Sequence, residues 1–106
     1  VQIACPPGGE ESMRAFYHGV LGWAEIPKPP LLAARGGCWF AVPGVDGPAA
    51  ELHIGPEDPF RPARRAHPAF VVDVDAVAAG LVAAGYAVRT FRRRGRPPGA
   101  RSGHSW

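Results

Sequence analysis

The chain lacks any apolar run approaching the roughly 20 residues of a membrane-spanning helix. It also lacks the charged, apolar and small-residue succession of a secretory leader at its start. A membrane-embedded reading is therefore set aside. Cysteine is scarce: Cys5 and Cys38 are the only two. Both sit in apolar, strand-like surroundings and read as buried free thiols rather than as a disulfide. A reducing, cytoplasmic setting is the expectation that follows. Acid is missing from one end. Residues 89–106 hold six arginines (Arg89, Arg92, Arg93, Arg94, Arg96, Arg101) and no Asp or Glu. The chain as a whole is +3, with 12 basic and 9 acidic groups, so residues 1–88 carry six bases against all nine acids, a net of −3. The basic balance belongs to the end of the chain and not to its body. The first residue is Val1 rather than Met, which leaves room for sequence upstream.

The 106 residues suffice for one compact domain with one core, and 46% hydrophobic content argues for a folded body. Fourteen glycines and 13 prolines argue for many turns and short elements. Met13, Phe16, Tyr17, Val20 and Leu21 recur at the spacing of an amphipathic helix face, and Glu10 and Glu11 favour its N-terminus. Gly22 follows where the helix needs a positive φ. Strands are expected over residues 1–5, 23–26, 38–42, 49–55 and 67–73, with a turn over 43–48 and a proline-spaced loop over 56–66. Asp75 is expected to cap a second helix whose stripe is Val77, Leu81 and Ala84, ending at Gly85. A sixth strand begins at Tyr86. The order β-α-β-β-β, loop, β-α-β contains a partial internal repeat of about 60 residues.

Glu51 and His53 are two apart on a strand and point to one face. If Leu52 packs against a helix, the pair faces the other way. A carboxylate beside an imidazole suits a borderline divalent metal such as Zn, Fe, Ni or Mn, and it also suits a merely wet strand face. His67 opens the fifth strand beside Pro68. Trp39 and Phe40 point to opposite faces of the third strand, one toward the core and one toward a ligand. His18 falls between the stripe positions and reads as solvated.

The helix ending Phe16-Tyr17-His18-Gly19-Val20-Leu21-Gly22 and running into Trp23, the Glu51–Gly55 strand and the His67–Asp73 strand resemble, in this order, the vicinal oxygen chelate superfamily. That group includes glyoxalase I, extradiol dioxygenases, fosfomycin-resistance enzymes and bleomycin-binding proteins. The resemblance covers about residues 1–88. It implies an α+β fold of paired βαβββ modules forming an open cup, here with a first module over about 1–55 and an incomplete second one over about 67–88. It also implies a divalent metal (Zn, Ni, Mn or Fe), with His67, Glu51 and His53 as candidate ligands in that order and Glu51 as the catalytic candidate. The family's first-strand ligand would fall before Val1 or be replaced by Gln2, a weak amide donor. The family's last ligand, in a stretch like Asp-Pro-x-Gly-Asn-x-x-Glu, has no counterpart here.

Two functions from different classes follow from the resemblance. One is a metal-dependent lyase or dioxygenase acting on a small substrate with vicinal oxygens. The other is a non-catalytic binder of a small, antibiotic-like molecule, with Trp39, Phe40, Phe60 and Trp23 as candidate contacts. An incomplete sheet leaves edges unpaired, which implies a homodimer or a strand-exchanged dimer. Residues 89–106 depart from the family and lack apolar periodicity. They read as an aberrant terminus translated in a shifted frame, as a solvated tail, or as a nucleic-acid contact, the last being the least favoured.

Overall fold

A computed structural model of the chain describes residues 1–90 and 103–105. The backbone divides into two units, Val1–Arg64 and Arg65–Trp106. No helix among the described residues is long and apolar enough to cross a membrane.

The first unit is built on four strands: β1 (Gln2–Cys5), β2 (Glu25–Ile26), β3 (Cys38–Gly44) and β4 (Gly47–Pro56). They lie in the order β1-β4-β3-β2. β1 runs parallel to β4, and the other neighbours are antiparallel. Helix α1 (Glu10–Arg14) follows β1 and continues as a π-helical segment, Ala15–Val20. One helical turn, α2 (Pro30–Ala33), precedes β3 and starts with Pro30, whose missing N–H is one that a helix start leaves unpaired anyway.

The alternation in β3 and β4 sets the core. Cys38, Phe40 and Val42 on β3, Leu52 and Ile54 on β4, and Cys5 on β1 are all buried. Burial of each large member contributes about 1.5–3 kcal/mol. The helix covers this face: the Tyr17 ring lies 5.6 Å from that of Phe40 and 5.6 Å from that of Trp23. The five stripe positions Met13, Phe16, Tyr17, Val20 and Leu21 are all half-buried, while His18 and Gly19 are exposed. The expected face is correct, yet its geometry is not a plain α-helix. The Leu21 N–H reaches back five residues to the Phe16 carbonyl at 3.0 Å. Gly22 closes the segment at φ 75°, as its position predicts.

Arg14 ties the helix to the sheet edge. Its Nε donates to both carboxylate oxygens of Glu25 on β2, at 2.9 and 3.1 Å, and Nη1 donates to Glu11 at 2.6 Å. These bonds push the Arg14 guanidinium further up from its usual range, that to Glu25 most. Gly37 enters β3 at φ 87° with its Cα against β4; a Cβ there would collide with the Ile54 carbonyl oxygen.

The second unit holds β5 (Ala69–Val71), α3 (Val74–Ala83) and β6 (Gly103–Ser105), with β5 and β6 antiparallel. Phe70 and Leu81 are its buried side chains among the described residues. Two expectations are corrected here. The cap of α3 is Asp73, whose carboxylate accepts the Ala76 N–H at 3.2 Å, and Asp75 instead lies in the first turn. Residues 86–88 form no strand, and β5 pairs with Gly103–Ser105. The remaining residues read as an aberrant tail, 91–102 and 106, lie outside the described ones.

Candidate functional site

Cross-strand partners place their side chains on one face of a sheet. Gln2, His53, Trp39 and Ile26 are successive partners across all four strands, so they form one row. The adjacent positions on that face are Glu51 and its partner Ala41 on one side, and Gly55 with its partner Ala4 on the other. Leu52 and Phe40 point the opposite way, into the core. Leu52 packs inward, so Glu51 and His53 stand on the opposite face of the sheet.

On that face His53 is held from two directions. Its Nε2 lies 2.9 Å from Glu51 Oε1. A carboxylate only accepts, so the neutral ring donates Nε2–H and keeps Nδ1 as its acceptor. The Trp39 indole stacks on the imidazole, with centroids 3.6 Å apart and planes 1° from parallel. The side chains remain 30% (His53) and 54% (Glu51) exposed, so the pair is open to a ligand. Gln2 extends its amide over Gly55: a Cβ on Gly55 would lie 3.0 Å from Gln2 Nε2.

Glu51 and His53 supply a carboxylate and an imidazole, two donor types that divalent metals accept. His53 Nε2 could serve as a ligand only with the ring proton on Nδ1, in the tautomer that gives up the 2.9 Å hydrogen bond to Glu51. Among the described residues no group of three His, Cys, Asp or Glu gathers in one place. His67 belongs to the second unit and is exposed. Its Nδ1 lies 2.7 Å from the Arg65 carbonyl, which only accepts, so Nδ1 carries the proton and Nε2 presents its lone pair. A histidine held through one nitrogen by a backbone carbonyl is oriented as metal-binding histidines are.

The four aromatic candidates separate. Trp39 stands on the open face. Phe40 is fully buried under Tyr17, and Trp23 is buried beside the same ring, so both serve the core. Phe60 is half-buried in the loop after β4. His18 is exposed as expected, and its Nδ1–H donates to the Trp23 carbonyl at 2.8 Å. The buried thiols are poor nucleophiles: burial pushes Cys38 up to about 11 against the partial opposition of Arg14, and burial pushes Cys5 up as well. Sequence reasoning missed the Trp39–His53 stack. Its signal lies in the hairpin register, which a bulge between Val42 and Pro43 shifts.

No protein-family profile matches the chain, and no curated protein matches it. A solved structure does: the crystal structure of a candidate glyoxalase family protein from Bacillus anthracis is 48% identical, with a TM-score of 0.67 over 79% of this chain. The chain spans 66% of that protein's length, just under two thirds. The similarity, the mixed α+β architecture and the four-stranded sheet fit the glyoxalase/bleomycin resistance/dioxygenase superfamily.

Proposed function

We propose that the chain is a member of the glyoxalase/bleomycin resistance/dioxygenase superfamily and binds a small molecule with vicinal oxygens on the open face of its four-stranded sheet. The observation that carries this reading is the Glu51–His53 contact of 2.9 Å on the face opposite the core, beneath a stacked Trp39. Glu51 and His53 would hold a divalent metal (Zn, Ni, Mn or Fe), and His67 is a further candidate ligand with a free Nε2. When bound, the ion supplies Lewis-acid polarisation of two adjacent substrate oxygens. The chain's own groups do the rest. Glu51 is the catalytic candidate, and another carboxylate would move the proton. Trp39 fixes the imidazole plane and shields one side of it from water.

A second reading rests on the stack itself. Trp39 and His53 present an aromatic edge that suits a metal-free binding protein as well. Elemental mass spectrometry of the purified chain separates the two. About one transition metal per chain, lost in Glu51→Gln and His53→Ala, supports the metal reading; no metal after incubation with Zn, Ni, Mn or Fe supports the binding protein. His67→Ala, measured beside them, tests the third candidate ligand. Both readings include a homodimer or a strand-exchanged dimer as the working assembly, supported by the position of β1 at one edge of the four-stranded sheet. A monomer mass in sedimentation at high concentration rejects that assembly.

A further inference from the structure

The loop after β4 concentrates positive charge that the rest of the body lacks. Arg61, Arg64 and Arg65 fall within five residues and are all exposed. Residues 1–88 hold only three other basic side chains, Arg14, Lys28 and Arg35, against nine acids. Two of those three are engaged: Arg14 with Glu11 and Glu25, and Lys28 with the Gly36 carbonyl. Among the described residues no ion pair engages Arg61, Arg64 or Arg65. The two acids just upstream do not neutralise them. Glu57 turns its Oε1 to the backbone N–H of Arg61 at 2.8 Å, which tightens the loop instead, and Asp58 forms no ion pair among the described residues.

The first part of the segment, residues 57–61, is fastened before any ligand arrives. The Glu57 N–H donates to the Cys5 carbonyl at 2.9 Å, fastening the loop to the end of β1. Pro56, Pro59 and Pro62 restrict its φ angles, and Phe60 is half-buried. The three are close in sequence and exposed, and no ion pair among the described residues offsets their charge. All three are arginine, the side chain whose planar fork matches an oxyanion with two hydrogen bonds. A preordered loop also loses less entropy when it binds.

We propose that this loop is a binding site for a small oxyanion, a phosphate or carboxylate group, with Arg61 and Arg64 as its principal donors. The inference is independent of the reading of the Glu51–His53 face. Titration calorimetry of the full chain with inorganic pyrophosphate and with citrate, in about 0.15 M salt so that diffuse attraction is screened, tests it. The expected result is saturable binding of at least one of the two, weakened tenfold or more in Arg61→Ala/Arg64→Ala and retained in Arg92→Ala/Arg93→Ala/Arg94→Ala. Tighter pyrophosphate assigns a phosphate ligand, and tighter citrate a carboxylate. An unchanged melting temperature shows that the loop variant is folded; if it is not, Arg61→Gln/Arg64→Gln replaces it. Three results overturn the proposal: no saturable binding of either anion, equal binding by the loop variant, or loss confined to the Arg92/Arg93/Arg94 variant. Saturable binding of a short single-stranded oligonucleotide without binding of either small anion also overturns it, in favour of nucleic acid.

Discussion

Two neighbouring residues on β3 carry opposite jobs, and substitution separates them. Phe40 is buried between Leu52 and Tyr17, so Phe40→Ala is expected to cost about 3–5 kcal/mol in chemical denaturation. Trp39 is half-exposed on the other face, where Trp39→Ala is expected to cost far less stability while freeing the His53 ring. A comparable loss in both would show that the Trp39 face is also core. Gly37 is a third residue-scale case. Its positive φ and the collision of an added methyl with the Ile54 carbonyl predict that Gly37→Ala destabilises by about 2–4 kcal/mol. A melting temperature within a degree of wild type would refute that.

At the scale of elements, the cap of α3 is the simplest test. Asp73→Ala removes the acceptor for the Ala76 N–H and is expected to cost about 1 kcal/mol, whereas Asp75→Ala leaves the cap intact and costs less. Amide exchange at Ala76 is the readout, and faster exchange in the Asp75 variant alone would contradict the assignment. This cap also illustrates what could be read from the chain. Asp73 and Asp75 are equally good cap residues two positions apart, and only the backbone angle at Asp73 (φ −71°, ψ 98°) chooses between them. The stripe Met13, Phe16, Tyr17, Val20 and Leu21 announced a buried helix face because burial selects apolar side chains. It could not announce the π-helical step, since shifting one hydrogen bond by one residue leaves nearly the same side chains inward. Strands β3 and β4 were legible from their alternation. The Glu51–His53 pair was legible from the same rule, whereas Trp39 over His53 needed the register.

At the scale of the whole molecule, the buried acids set an alkaline limit. Burial raises Cys38 from 9.0 to about 11, and burial also raises Tyr17. A raised folded-state pKa favours the protonated form in the fold, so its contribution is complete below the unfolded value and is lost as pH rises through the folded one. Stability is therefore expected to fall between about pH 9 and 11. In Cys38→Ala that slope is shallower, measured by denaturant titration across the range. An identical slope in the variant would place the alkaline loss elsewhere.

The chain by itself determined which stretches alternate, which face of the first helix is apolar, where Gly22 must turn the backbone, and that Glu51 and His53 look the same way. These are local matters, set by side-chain period and by the steric freedom of glycine. The tertiary structure decided the pairing. The turn closes Gly44 against Gly47, and carried along the hairpin without interruption that pairing would set Trp39 opposite Leu52. Burial of Phe40, Leu52, Cys38 and Ile54 on one face requires the register one step away. The bulge between Val42 and Pro43 supplies that step, at a proline that has no N–H to give the ladder. Trp39 then meets His53, and the two rings stack on the other face, because closing the core on this face of the same strands fixes the register.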